Sequence, residues 1–400
     1  MATAKELTDK YIMNTYARFD LELEKGEGCV LYDEKGRSYL DFASGIAVNN
    51  LGYNNTKIIS AIASQAEKLI HVSNYFYTAP QALLAEKLCE NSFADRVFFC
   101  NSGAEAVEGA IKLARIHAKK ISGNGHKIIT MNGSFHGRTY GALSATSQEK
   151  YHKGFEPLLP GFTYVDFGDL KAAADLVKGG EYCAVIIEPV QGEGGVNIVP
   201  EAYLKGIRDL TSKNGMLLIS DEVQVGLGRT GTLFAYMNYG VEPDIMTLAK
   251  PLAGGLPIGA VLAREEVAKA FEPGNHASTF GGGPLVAAVA NAFFDEITKE
   301  GFLDEVKEKS KYIAGKLLEL KSKFPGLIKD IRSIGLISAV EFFDLKARAV
   351  AEKLIENGFL TTAVQEKVLR LTPPLVIERG EIDLIISALG KILAEQKKGG

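Results

Sequence analysis

The chain has little of what marks a secreted, membrane-bound or metal-bound protein. Its four cysteines, Cys29, Cys89, Cys100 and Cys183, are scattered, with neither a C-x-x-C pair nor a dense disulfide framework. They read as reduced, mostly buried thiols of a cytoplasmic protein. The six histidines form no H-E-x-x-H or His/Cys cluster, so no dedicated metal site is expected. No apolar run reaches the length of a membrane span, and the N-terminal twenty residues carry charges where a secretory signal needs an unbroken apolar stretch. Lys+Arg total 45 against Asp+Glu 49, a formal charge of -4, so no general basic field attracts nucleic acid or an anionic membrane. A small-molecule partner is the expectation. There is no internal repeat, and no low-complexity segment beyond the KKGG tail.

What is present fits a sizeable globular protein. Four hundred residues, 46% hydrophobic and 24% charged, exceed what one core usually holds, which predicts a large domain plus a smaller one. Short apolar runs alternate with segments of helical period, the pattern of a mostly parallel α/β sheet with crossover helices. The clearest strands are RVFFC (96–100), HKIITM (126–131), CAVIIEP (183–189), GMLLISDEV (215–223) and PDIMTLA (243–249). Helices are expected over 104–120 and 201–213. After Gly283 a long helical stretch runs to about Phe324, and LISAVEFF and VLRLTPPLVI then read as strands of a separate α+β unit. The organisation expected is an N-terminal segment 1–60 packing with the small domain, a large domain 61–290 and a small α+β domain 291–400.

Ligands of such sheets bind beyond the carboxyl ends of the strands. Three loops there stand out. Ser102-Gly103-Ala104-Glu105 comes after a strand and opens a helix; Ser102 with Glu105 has capping-box spacing, and the Gly103 and Ala104 amides are available to a phosphate. Asp221 and Lys250 each end an apolar strand, and Pro and Gly come after the lysine. Taken singly, each has a plain structural reading: a capped helix, an ion pair, a solvated lysine. Together they meet the three needs of pyridoxal phosphate, which are an amine for its aldehyde, a carboxylate for its ring nitrogen and backbone donors for its phosphate.

The motifs NSGAEA (101–106), SFHGRT (134–139), EPVQGEGG (188–195), SDEVQVGLGRTG (220–231), LAKPLAGGLPIGA (248–260) and HASTFGG (276–282) resemble the class-III, ornithine-type aminotransferases over nearly the whole chain. The resemblance implies the fold type I architecture of pyridoxal-phosphate transferases and a homodimer with active sites at the interface. By it, Lys250 carries the cofactor and then shuttles the proton, Asp221 pairs with the ring nitrogen, and Gln224 bonds the phenolic oxygen. Phe135 and Val223 pack on the ring, Gly103 and Ala104 offer amides to the phosphate, and Thr279 reaches the other subunit's phosphate. For substrate it implies Arg370 on the α-carboxylate of glutamate or 2-oxoglutarate, Arg138 on the distal carboxylate, and Glu193 pairing with Arg370 while the first substrate reacts. Ser278 and Tyr11 are further substrate-binding candidates, and Tyr16 a second residue for the channel; His136 reads as hydrogen-bonding support.

The segments YIMNTYARF, YLDFASGIAVNNLG, HVSNYFYT and FEPLLPGF are most similar to the acetylornithine branch of that family. They imply transfer of the terminal amino group of N2-acetylornithine to 2-oxoglutarate, in arginine biosynthesis. Ile46, where relatives acting on free ornithine carry a tyrosine, suits an uncharged acylated amine. Ornithine, succinylornithine, a carrier-bound lysine precursor and 4-aminobutyrate are the alternatives. A rival of another class is a nucleotide-dependent oxidoreductase, because Gly226 to Gly231 satisfies G-x-G-x-x-G. Its context argues against it: the motif starts several residues after its strand, and the adjoining TLFAYMNYG, rich in aromatics, is a poor helix start.

Overall fold

The computed structural model describes residues 3–398. Its centre is a seven-stranded sheet in the order Arg96–Cys100, Gly259–Ala263, Ile245–Leu248, Leu217–Asp221, Tyr182–Ile187, Lys127–Met131, Phe162–Val165. Gly259–Ala263 runs antiparallel to both neighbours, and every other pairing is parallel. The strands are short apolar runs because both faces are covered. Successive residues point to opposite sides. Thus Ile128, Ala184 and Ile219 pack under helix Gly103–His117, whereas Ile129, Val185 and Leu218 pack under helix Glu201–Lys213. The first helix lies close because its inner face is small; a Cβ at Gly109 would stand 3.0 Å from Val261. It passes at Ala118 into a π-helical turn ending at left-handed Gly123.

Two strands of this sheet were not anticipated. Phe162–Val165 is an edge strand, and Gly259–Ala263 lies in a Gly- and Pro-rich stretch that reads as loop. The helical stretch after Gly283 is two helices, Pro284–Ile297 and Phe302–Lys323, interrupted before Phe302 by Gly301 at φ 82°. The first crosses residue 290 and buries Phe293, Phe294 and Ile297 with Leu84, Leu88 and Leu248.

Toward the C-terminus, Ile328–Ile334, Ile337–Phe342, Val368–Leu371 and Thr362–Val364 form an antiparallel sheet. Helices Phe302–Lys323, Ala347–Glu356 and Arg379–Lys398 pack around it. The N-terminal strands Leu23–Glu27, Val30–Asp33 and Ser38–Asp41 join Phe359–Leu360 in a further sheet. Accordingly Cys29, Leu40 and Phe42 share a core with Leu317, Phe342 and Leu389. No helix among the described residues is long and apolar enough to cross a membrane.

Candidate active site

The parallel strands end at a cavity of about 390 Å³ lined by residues from six parts of the chain. Asp221 is the last residue of its strand and is buried at 4% exposure. Its Oδ2 lies 2.6 Å from His136 Nδ1. Its Oδ1 accepts from Thr247 Oγ1 at 2.9 Å and from the Val223 amide at 3.2 Å. Thr247 stands beside Asp221 because the two parallel strands are in that register. His136 Nε2 is buried without a partner among the described residues. These donors orient a carboxylate that costs too much to leave buried alone.

Lys250 lies two residues beyond the neighbouring strand, at φ 41°, a left-handed backbone that a lysine adopts only under constraint. Burial lowers its ammonium pKa, and the nearby Asp221 and Glu193 only partly offset this. The neutral, nucleophilic amine is therefore favoured relative to a solvated lysine.

Glu188 was not singled out from the sequence. It ends the apolar run CAVIIEP, and its Oε2 accepts the Phe135 amide at 3.0 Å. Burial, together with the charge of Asp221, pushes its carboxyl well above the usual range. An acid emerging from a buried strand just before proline was the available signal.

The far wall is backbone. A Cβ at Gly103 would stand 2.6 Å from Val223, and one at Gly137, where φ is 142°, would stand 2.9 Å from the Cβ atoms of Ala104 and Ala142. Glycine at both positions leaves room for a ligand at the start of the helix. Ser102 caps that helix, accepting from the Glu105 amide at 3.2 Å. The reciprocal half of the expected capping box is replaced: Glu105 reaches one residue further back, to the Asn101 amide at 2.5 Å and its Nδ2 at 3.0 Å.

Arg370 is 1% exposed in the strand Val368–Leu371. Its Nη1 binds Glu193 Oε1 at 2.6 Å and Gln224 Oε1 at 3.1 Å, and its Nε donates to Thr362 Oγ1 at 3.1 Å. Burial raises the Glu193 pKa, but the Arg370 charge and hydrogen bond outweigh burial and hold it below the ordinary value. Arg138 is exposed and lies over the ring of Tyr151 at 3.9 Å and that of Phe135 at 5.3 Å.

One cavity thus gathers Gly103, Ala104, Phe135, Arg138, Glu193, Asp221, Val223, Gln224 and Lys250, and Arg370 joins them through Glu193 and Gln224. Five other sequence candidates do not line this cavity, among them the exposed Tyr16 and Ile46. Tyr11 does not line the cavity of its own chain; it ends the exposed helix Ala4–Tyr11 at 70% exposure, because that helix buries none of its residues. Ser278 and Thr279 line an adjoining depression with Asn74 and Gln81. The Ser278 hydroxyl serves the turn itself, accepting from Asn101 Nδ2 and the Gly281 amide. The segment Gly226 to Gly231 runs through turns, with Arg229 fully buried, and opens no helix after a strand.

A constrained lysine, a braced buried aspartate on the adjoining strand and an open helix start define an enzyme that handles amino groups through pyridoxal phosphate. The residues fit that group: the acid is oriented from behind, and the glycines keep the cradle clear. The chain belongs to the class-III aminotransferases, whose profile matches residues 11–393. Among its relatives, the acetylornithine aminotransferase of Caldanaerobacter subterraneus subsp. tengcongensis is 50% identical over 387 residues, covering 96% of this chain and 98% of that one. That of Methanocaldococcus jannaschii is 48% identical over 394 residues, 98% of each. Of solved structures, the ornithine aminotransferase of Toxoplasma gondii superposes with a TM-score of 0.95 at 33% identity, covering 100% of this chain and 97% of the other. The N-acetylornithine aminotransferase of Stenotrophomonas maltophilia gives 0.84 at 37% identity, over 96% and 98%.

Proposed function

We propose that the chain transfers the terminal amino group of N2-acetylornithine to 2-oxoglutarate, giving N-acetylglutamate 5-semialdehyde and glutamate. Bound pyridoxal phosphate supplies an aldehyde for the amino group and a ring that accepts electrons. Lys250 would be its attachment point, and its amine, held toward the neutral form by burial, would take up and return a proton. Asp221, braced by His136 and Thr247, holds a negative charge for the ring nitrogen, with Gln224, Phe135 and Val223 fixing the ring. Gly103 and Ala104 would offer their amides to the phosphate at the helix start.

The observation that carries the substrate reading is the buried Arg370–Glu193 pair at 2.6 Å. An arginine neutralised by a nearby acid tolerates the neutral chain of a donor that reacts through its terminal amine and brings no carboxylate there. When Glu193 leaves, the guanidinium is free to take the carboxylate of glutamate or 2-oxoglutarate bidentately, with Arg138 on the distal carboxylate. Ile46, two residues before the cavity-lining Val48, is aliphatic where the resemblance gives relatives acting on free ornithine a tyrosine. The acetylornithine names of the 48–50% identical relatives support the same choice.

We further infer a cytoplasmic homodimer. Tyr75, Phe76, Tyr77 and Phe280 are largely exposed around the Ser278 turn, and such an aromatic patch is suited to a second copy that would bring Thr279 toward the partner's cavity. The test mixes the holoenzyme separately with acetylornithine, succinylornithine, ornithine and 4-aminobutyrate and follows the visible absorbance. Acetylornithine should react fastest, and Lys250→Ala should abolish turnover. Faster reaction with free ornithine would refute the donor assignment.

A further inference from the structure

The loop carrying Glu193 is held at its main chain by the C-terminal sheet. Arg332, in the strand Ile328–Ile334, directs Nε and Nη2 together onto the Gly195 carbonyl oxygen, at 3.1 and 2.8 Å. Its Nη1 is anchored by Asp330 at 2.9 Å and Glu341 at 2.6 Å, so the fork is aimed from behind. Two residues back, the Glu193 carbonyl oxygen accepts from Gln365 Nε2 at 2.8 Å. Gln365 sits at φ 56° in the turn between Thr362–Val364 and Val368–Leu371, and its Nε2 also lies 3.3 Å from Gln148 Oε1.

The loop is closely packed at its glycines. A Cβ at Gly192 would meet Gln224 Oε1 at 1.7 Å, and one at Gly194 would meet the Gly133 carbonyl oxygen at 2.6 Å. Gly195 has φ 118°, a backbone that L side chains rarely adopt. The Glu193 side chain, by contrast, is tied among the described residues only to Arg370 and, at 3.5 Å, to Gln224. A lightly tied side chain thus stands on a main chain bonded at two of its carbonyls.

We propose that Arg332, assisted by Gln365, is a positioning residue for Glu193: by clamping the Gly195 and Glu193 carbonyls it keeps the loop still, so the Arg370 site opens by rotation of one side chain. This rests on the reading of Arg370 as the carboxylate site. Arg370 belongs to the sheet that supplies both clamps, and Ala339 pairs with Arg370 while Arg332 pairs with Ala339 in register. The guanidinium and both clamps are therefore carried by one sheet. The clamp favours the closed pair without touching substrate.

The test uses the holoenzyme carrying Arg332→Lys, which keeps the charge but loses the fork, and separately Gln365→Ala, whose bond lies at the surface. Losing a charge-assisted bond that places Glu193 should lower kcat/KM for the acylated donor by roughly tenfold, with the 2-oxoglutarate half-reaction within about twofold of wild type. Calorimetric binding of glutarate, a dicarboxylate without a reactive group, should tighten, since closure competes with it less well. Both effects should vanish when the same changes are made in Glu193→Ala, because a residue acting through Glu193 shows full coupling. Equal losses in both half-reactions, unchanged glutarate binding, or effects that persist without Glu193 would overturn the proposal. If wild type prefers another donor, the glutarate measurement still decides on the clamp.

Discussion

Glu193→Ala isolates the electrostatic argument on which the donor assignment stands. In the native pair Arg370 is 1% exposed and Glu193 is its one anionic partner within salt-bridge distance among the described residues. Stripping the partner from a fully buried ion pair costs about 3–5 kcal/mol. Two features reduce that here: Gln224 and Thr362 keep their bonds to the guanidinium, and the Glu193 side chain is 22% exposed, so water enters where it stood. About 2 kcal/mol remains, or roughly thirtyfold. It should fall on the donor half-reaction alone, where an uncharged chain would lie against an unneutralised arginine. The 2-oxoglutarate half-reaction should be unchanged or faster, because its carboxylate no longer displaces Glu193. Single-turnover rates with each substrate, followed by visible absorbance, separate the two. In wild type the pair should persist through neutral pH and be lost only in acid, because Arg370 holds the Glu193 pKa below 4.5. An equal fall in both half-reactions would refute the reasoning.

Glu222 is almost fully buried, and burial raises its carboxyl from 4.5 to about 7 although it accepts the Ala235 and Tyr236 amides. A raised folded-state pKa adds stability below pH 4.5 that is lost as pH rises through 7, ~3 kcal/mol in all; urea melts of Glu222→Gln across that window should show a correspondingly flatter pH slope. Ile46 stands at φ 66° and 43% exposure. Ile46→Gly should therefore relieve left-handed strain and, after the entropy cost of glycine, raise stability by about 0.5–1 kcal/mol in a denaturant melt. Gly137→Ala places a methyl 2.9 Å from the Cβ atoms of Ala104 and Ala142 at a φ of 142°. It should cost about 1–3 kcal/mol and weaken pyridoxal-phosphate retention on dialysis, with helical circular dichroism unchanged.

How far the site could be read beforehand depends on how far apart its parts lie along the chain. Asp221 and Lys250 were legible because each terminates an apolar run, and a charge there is conspicuous within a few residues. The strand Tyr182–Ile187 was legible because it is buried on both faces and so apolar without interruption. Gly259–Ala263 was not: its position between Arg96–Cys100 and Ile245–Leu248 makes it a strand, while its glycines and prolines locally read as loop. The brace from His136 to Asp221 spans 85 residues, and the fork from Arg332 to Gly195 spans 137. Neither has any local sequence signature, since sheet order and register alone bring the partners together. Glu105 shows the same limit at short range, for S-x-x-E spacing states which residues can form a capping box and not which amide the acid will choose. Side chains that perform chemistry at the strand ends are thus written in local patterns, whereas those that hold them are written in topology. Changes that lower activity while leaving Lys250 and Asp221 in place are accordingly expected at residues such as Thr247, Arg332 and Gln365, where a bond crosses between strands or between sheets.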